Sequence, residues 1–423
     1  MRAKSTARIL VVAALTWMLA TAPSSPHVIE SSARADIVVN SSDDVDDGTC
    51  DSSHCSLREA LWAAADQAGP DTITFAIPLT DPGYQPATGV WTIEPDAGYS
   101  VRADTTVDGS VTTTSLLGIR STRPGIEIDG IDKVALGTTG LRLDERVTLR
   151  GLIVNRFQYA IWVGGSDAIV EECYLGTDPT GTVAKPNGVN GILVSDGVSG
   201  ASIQHNLISG SSGGIRLFGN TTHGNTIRDN LIGCDVTGTA ALPNSNHGVE
   251  VHAGAHDNVI GPGNVVAFNG LYGVWISEAG TVGNTITQNS IHSTDWWGIR
   301  LTSGGNNELH EPIVFSASPT QVFGTACPNC TIEAFSDTED QGAIYEGTTV
   351  ADHAGNWTFT KPGGLSGPFV TATATDGDGN TSPFSAPVRL AQPTPTATNT
   401  ATPTSTAPAT PVAVIYLPVV IRQ

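Results

Sequence analysis

Between residues 149 and 301 the chain repeats one short phrase, and that repeat limits the fold more than any other feature. Six times a small residue is followed by branched, variable, branched: Ala160-Ile161-Trp162-Val163, Gly191-Ile192-Leu193-Val194, Gly214-Ile215-Arg216-Leu217, Gly248-Val249-Glu250-Val251, Gly273-Val274-Trp275-Ile276 and Gly298-Ile299-Arg300-Leu301. A second phrase alternates with it: Ile203-Gln204-His205-Asn206-Leu207-Ile208, Ile227-Arg228-Asp229-Asn230-Leu231-Ile232 and Ile286-Thr287-Gln288-Asn289-Ser290-Ile291. Apolar residues alternate within each run, which is the period of a strand and not of a helix. The first phrase recurs at spacings of 31, 23, 34, 25 and 25 residues. A unit this short cannot bury its own apolar face, but stacked on its neighbours it can, and such periods signal a solenoid. Short strands with Gly, Asn, Ser and Thr at the corners predict a parallel β-helix, with like strands about 4.8 Å apart along the axis.

The longer spacings hold insertions. Residues 176–191 and 233–248 align without gaps at an offset of 57 residues and share Asp178/Asp235, Thr180/Thr237, Gly181/Gly238, Thr182/Thr239, Pro186/Pro243 and Asn187/Asn244. The coil between them lacks the insert, so two matching loops should leave one corner two coils apart. In the second phrase Leu152, Cys173, Asn206, Asn230, Asn264 and Asn289 fall in equivalent places. A buried stack of asparagines can satisfy its amides along the axis, so an interior ladder is expected. Cys173 replaces Asn there and reads as a small buried hydrophobe rather than a reactive thiol.

Upstream, residues 1–35 read as a secretory signal: Arg2, Lys4 and Arg8, then an apolar stretch from Ile9 to Ala22, then Ala33-Arg34-Ala35 as a small-x-small cleavage site. Ala20-Thr21-Ala22 offers a second such site. No other segment is long enough to span a bilayer. Without those residues 16 Lys+Arg face 40 Asp+Glu, a net charge of −24. That balance argues against nucleic acid, and against an anionic polysaccharide held by bulk attraction alone. The expected location is secreted or cell-surface.

From residue 36 a strand, an acidic loop, a helix and a strand precede the repeat. Ser56 and Glu59 form a capping-box pattern ahead of Leu57, Ala60 and Leu61. An open β-helix end exposes strand edges and core, and this segment is expected to cover it. Here Cys55-Ser56-Leu57-Arg58-Glu59-Ala60, after Asp46-Asp47-Gly48-Thr49-Cys50 and before Asp71-Thr72-Ile73-Thr74-Phe75, resembles the CSLREA domain, which opens secreted bacterial β-helix proteins. The repeat after it resembles the right-handed β-helix of the pectin lyase-like superfamily. Together the likenesses cover 36 to about 310 and imply architecture rather than chemistry.

Residues 312–388 change rhythm, with strand-like runs divided by turn clusters, and suggest a small β-sandwich. The ending Ala374-Thr375-Asp376-Gly377-Asp378-Gly379-Asn380-Thr381-Ser382 is similar to that of bacterial Ig-like modules. A Thr/Pro/Ala tract then reads as an extended spacer. The final apolar stretch is too short for a membrane helix and reads either as a surface-retention signal or as one more strand. The expected chain is thus all-β: signal 1–35, capped right-handed parallel β-helix 36–310, Ig-like sandwich 311–390, linker 391–411 and hydrophobic tail 412–423.

Six cysteines in an exported chain suggest disulfides. Cys50 pairs with Cys55 and Cys327 with Cys330 in this reading; a redox CxxC and a zinc site on Cys50, His54 and Cys55 are the alternatives. No cofactor or metal is expected, although calcium could bind the acidic loops 43–47 and 376–380, which offer hard oxygen ligands but not an EF-hand spacing.

Candidate site residues come from the phrase itself. If the branched residues point inward, the variable ones point outward and form a row: Trp162, Leu193, Arg216, Glu250, Trp275 and Arg300. Beside it runs Gly164, Ser195, Phe218, His252, Ser277 and Thr302. Aromatic rings stack on sugar faces while charged groups bind the hydroxyls, so the row is read as an exposed face for an extracellular polysaccharide or cell-surface partner. Cross-coil ion pairs and cation–π contacts stabilise any β-helix surface too, so a single member is first of all a structural residue. Catalysis is the alternative. Glu250, His252 and Asp295, with Arg216, form the acid/base grouping on this face, and a lyase or glycoside hydrolase would need such carboxylates. The polygalacturonase-like signature is absent, as are clustered calcium-binding aspartates, so a binding, adhesive or structural surface protein is the leading expectation.

Overall fold

The structure is a computed structural model and describes residues 36–391 apart from 68, 115–119, 132, 134–136 and 196. The expected signal segment, the linker beyond Ala391 and the tail lie outside the described residues.

Three long sheets of nine, eight and nine strands run side by side, each joining strands that are far apart in sequence. The eight-stranded sheet holds the first phrase, from Tyr99–Val101 to Ile299–Thr302. Its register is continuous and parallel: Ile161 faces Ile192, then Ile215, Val249, Val274 and Ile299. All six are buried, as the inward reading requires. The second phrase is two strands and not one. Ser202–Gln204 and Leu207–Ile208 belong to different sheets, and His205-Asn206 turns the corner between them. Each full coil therefore has three strands. A strand that leaves a sheet and returns parallel to it does so right-handedly, and the chain is a right-handed parallel β-helix.

The asparagine ladder is present. Asn230 Oδ1 accepts from Asn206 N and Nδ2, Asn264 Oδ1 from Asn230, and Asn289 Oδ1 from Asn264. Cys173 lies one rung above, its N–H donating to Asn206 Oδ1. Two more ladders stand at the other corners. One is Asn225, Asn258, Asn284 and Asn306; the other is Asn187, Ser211, Asn244 and Asn269. The residue before the ladder adopts positive φ in coil after coil: Glu172 (55°), His205 (56°), Asp229 (56°), Gln288 (51°), with Gly151 (65°) and Gly263 (80°) in the same place. Such a conformation costs a side-chain-bearing residue about 1–2 kcal/mol. The amide ladder below it offsets that cost.

The two inserts leave the same corner after Tyr174–Leu175 and Leu231–Ile232, with the uninserted strand Leu207–Ile208 between them. They touch, since Val236 N donates to Gly181 O at 3.0 Å. At the N-terminal end Asp36–Val39 pairs in parallel with Asp71–Phe75 and extends one sheet. The helix Leu57–Asp66 between them packs Leu57, Ala60, Leu61 and Ala64 on the core. Its capping box is formed: Glu59 N donates to Ser56 Oγ (3.2 Å) and Ser56 N to Glu59 Oε2 (2.9 Å). The Cys50–Cys55 disulfide closes the preceding loop, which removes the zinc alternative.

After the last rung the chain builds a sandwich. One sheet holds Ile313–Ala317, Gln321–Thr325 and Asn356–Thr360; the other holds Thr331–Asp337, Ile344–Val350, Phe369–Thr375 and Val388–Arg389. Cys327 and Cys330 are disulfide-bonded. Val322, Ile332, Trp357 and Val370 form its core. This module closes the C-terminal end of the β-helix. Gly283 N donates to Asn380 Oδ1 (2.7 Å), Ile286 N to Thr381 Oγ1 (2.9 Å) and Gln288 N to Glu333 Oε2 (2.9 Å). Ile291 and Gly342 form an antiparallel bridge, and Phe384 packs on the helix core.

Candidate functional site

The outward row of the eight-stranded sheet is a real row. Register joins Arg142, Trp162, Leu193, Arg216, Glu250, Trp275 and Arg300. It is not the exposed row the sequence suggests. Glu250 is 7% exposed, and Trp162, Leu193, Arg216, Trp275 and Arg300 are half-buried. Strands this close let each long side chain lie over the next rung, so the row covers itself.

Glu250 is the most enclosed member. Arg216 grips it in a two-point pair, Nε to Oε2 at 2.8 Å and Nη2 to Oε1 at 3.1 Å. His252 lies in the adjacent outward row, with Nε2 3.2 Å from Glu250 Oε1 and Nδ1 3.9 Å from Glu278 Oε1. The Nε2 contact is close but off the line a hydrogen bond needs, and that nitrogen is buried without a partner. Burial lowers the His252 pKa below its usual value; Glu250 and Glu278 pull it upward, and Arg216 pushes it further down. The ring packs between Phe218 (4.9 Å, edge-on) and Trp275 (6.0 Å, stacked). Asp295 does not join the group: it is exposed in the turn before the last rung, its N–H donating to Asn269 O at 3.0 Å. Glu278 is the second carboxylate beside His252.

The aromatic residues settle into a column that the outward-row reading misses. It stands at the corner leading into the sheet, where backbone bonds join Gly214 N to His247 O, Gly248 N to Tyr272 O and Gly273 N to Trp297 O. The rings follow the backbones. His247 stacks on Tyr272 (5.0 Å, 12°) and Tyr272 on Trp297 (6.0 Å, 12°). Trp296 meets Tyr272 edge-on at 5.9 Å, and His247 also touches Trp275 at 4.8 Å. Burial lowers the His247 pKa as well, against the upward pull of Glu250. The signal was an aromatic residue directly before the glycine of the last three phrases: His247-Gly248, Tyr272-Gly273 and Trp297-Gly298. Trp296 and Trp297 remain 59% and 49% exposed.

At the far ends of the row, arginines lie on tryptophans. Arg142 sits 4.3 Å over Trp162, and Arg300 sits 4.0 Å over Trp297 rather than over its register neighbour Trp275. Trp275 Nε1 instead donates to Thr302 Oγ1 at 2.9 Å. The same device occurs on the neighbouring sheet without aromatics. There Arg150 pairs with Glu171, and Gln204 Nε2 donates to Glu171 Oε2 at 2.6 Å. That ladder is structural, and the Arg216–Glu250 pair is built in the same way.

The cysteines left over are not nucleophiles. Cys173 and Cys234 are free and buried, and burial pushes each thiol up to about 12. Among the described residues one group of potential metal ligands converges, Asp47, His54 and Glu59, with donor atoms within 4.8 Å of one another. Glu59 is already committed there, to Ser56 in the capping box and to Asp47 N. In the acidic loops Asp44 holds Arg58 and the Tyr99 hydroxyl, and Asp376 accepts from Asp378 N and Asn380 N. Asp44 thus ties its loop to the helix and the first coils, and Asp376 serves its own turn.

No known family model matches the chain, and no curated protein matches it. Among solved structures it is similar to the pectate lyase Pel9A, at 13% identity and a TM-score of 0.35, covering 65% of this chain and 78% of that one. It is also similar to tailspike protein 2 of an Escherichia coli bacteriophage, at 12% identity and a TM-score of 0.27, covering 77% of this chain and 60% of that one. A pectin methylesterase from Aspergillus niger is 11% identical with a TM-score of 0.23, over 66% of this chain and 87% of that one. Likenesses this distant carry nothing about chemistry, and the fold rests on the strand register above. No helix among the described residues is long and apolar enough to cross a membrane.

Proposed function

We propose that this is a secreted or surface-displayed protein that binds saccharide on the eight-stranded face, with the aromatic column His247–Tyr272–Trp297 and Trp296 as its platform. One observation carries this reading: two adjacent tryptophans, 59% and 49% exposed, end a stacked aromatic column on the same face as the Arg216–Glu250 pair. A folded chain gains little by leaving such rings in water, whereas a sugar ring can stack on them. Secretion is supported by the basic-apolar-small pattern of residues 1–35 and by two disulfides, which persist in oxidising compartments. The likeness of the start to a CSLREA domain, and of residues 312–388 to an Ig-like module, supports display at the cell surface, where the same face would serve adhesion.

Binding is favoured over glycan cleavage. A carboxylate that acts as base or nucleophile must reach its substrate, and Glu250 is 7% exposed with both oxygens turned to Arg216. Titrating the protein with a panel of neutral and acidic oligosaccharides while following tryptophan emission tests the reading. Tyr272→Ala and Trp296→Ala should each weaken binding about tenfold, roughly 1.4 kcal/mol. A panel in which no saccharide moves the emission defeats it. New reducing ends or unsaturated products, abolished by Glu250→Gln, would instead make the protein an enzyme.

A further inference from the structure

The last coil and the sandwich enclose a cleft of about 370 Å³ that neither module could form alone. That volume lies in the range of ligand sites. Trp297 and Arg300 come from the last coil, Glu311 from the connection, and Asp340, Pro383 and Pro387 from the sandwich. The docking is specific. Gln341, next to Asp340, is buried and clamps the turn that carries the tryptophans: its Nε2 donates to Thr294 O (3.2 Å) and Trp296 O (3.3 Å), and its Oε1 accepts from Thr294 N (3.3 Å).

Arg300 is the unusual group here. Arg150, Arg156 and Arg216 each face a carboxylate at ion-pair distance. Arg300 has no such pair among the described residues, and its Nε is buried without a hydrogen-bond partner. Its guanidinium lies over the Trp297 ring instead, in a chain with twice as many acids as bases. Glu311 and Asp340 line the same cleft and are exposed. The cleft therefore brings together guanidinium donors, carboxylate acceptors and apolar proline and indole surface.

We propose that this cleft binds a neutral sugar ring and that the sandwich thereby sets the ligand class; this rests on the reading of the adjoining face as a saccharide surface. A hydroxyl both donates and accepts, so one uncharged polyhydroxylated ring satisfies both kinds of group. A uronate would suit Arg300 but bring its carboxylate beside two others, in a protein whose net charge is already strongly negative. An amino sugar would suit the carboxylates but set its ammonium against Arg300.

Calorimetry on the full chain, with neutral oligosaccharides and the matched uronate oligomers, tests this. The wild type should prefer the neutral series. The double variant Glu311→Gln/Asp340→Asn should lose about tenfold in neutral affinity and become less selective against uronates, with an unchanged melting temperature because both side chains are exposed. If the wild type prefers uronates, the proposal is overturned. It is also overturned if the double variant binds as the wild type does while Tyr272→Ala weakens binding, and the saccharide face then stands without the cleft. If no saccharide binds at all, the face and the cleft fall together.

Discussion

The ring of Phe384 occupies the space that a side chain at Gly298 would need. A Cβ built on Gly298 would lie 2.8 Å from Phe384 Cε2. The glycine that opens the last phrase thus has a second duty, since it lets a ring from the sandwich close the end of the β-helix core. That ring packs on the end of the core beside Ile291. Phe384→Ala is expected to cost about 2–3 kcal/mol, somewhat less than for a fully buried ring. Gly298→Val should undock the module more severely than a surface Gly→Val. Thermal unfolding followed by tryptophan emission reads both, because Gln341 ties the sandwich to the turn of Trp296. Wild-type melting in Phe384→Ala would show that the module is merely appended.

Neighbouring corner residues should respond in opposite ways. Asn206 is buried and holds Cys173 N, Val170 O and Asn230 Oδ1 at 2.9–3.0 Å. Asn206→Ala strands several of those groups and should cost about 3 kcal/mol. His205, one residue earlier, is exposed with φ 56°, where glycine is free of strain. His205→Gly should be neutral, or stabilising by up to about 1 kcal/mol, once relief of strain is set against the added freedom of the unfolded chain. Chemical denaturation of the two variants decides it. Equal losses from both would refute the account of the corner.

That contrast also marks what the sequence could and could not reveal. The inward Ile and Val positions, the Asn206 ladder, the capping box and the paired inserts all follow from local period and spacing, because each coil contacts only its neighbours. The burial of Glu250 does not, since it depends on Arg216 lying across a rung 34 residues away. The sequence left two or three strands per coil open, and left-handed φ at non-glycine corners was hidden because His205, Asp229 and Gln288 share no side-chain chemistry. One further ladder is written as Asn225-Thr226-Ile227, Asn258-Val259-Ile260 and Asn284-Thr285-Ile286, and half of the other as the paired Asn187 and Asn244 of the two inserts. The docking of the sandwich was out of reach of any periodicity argument: Asn380 meets Gly283 across 97 residues.

Acid should weaken the fold through three half-buried histidines. His247, His252 and His292 all have pKa values lowered first of all by burial, with neighbouring carboxylates pulling the other way. A folded-state value below the unfolded one means that the unfolded chain binds more protons. The stability these residues contribute is therefore complete above about pH 6.5, and it is lost as pH falls through the folded values. Melting temperatures measured from pH 7.5 down to 5 should drop. The drop should shrink in His292→Phe, whose site already holds Phe268 at 5.7 Å. A flat profile in the wild type would contradict the burial argument.

The Arg216–Glu250 pair yields the sharpest separation between structural and catalytic readings. Removing Arg216 leaves the buried Glu250 carboxylate uncompensated; because Arg216 itself is half-buried, Arg216→Leu alone should cost about 2–3 kcal/mol, below the value for a fully buried pair. Removing both is different, because the rung beside Arg216 already carries Leu193 in the same row. The double variant Arg216→Leu/Glu250→Leu should recover most of the loss, and the coupling between the two changes should equal that recovery plus the cost of Glu250→Leu alone. Saccharide binding on the aromatic column should survive in the double variant to within a few-fold, since Tyr272 and Trp296 do not touch either residue through a hydrogen bond. A double variant that is stable yet no longer binds would move Glu250 and Arg216 from the scaffold into the ligand contact, and would reopen the question of chemistry at His252.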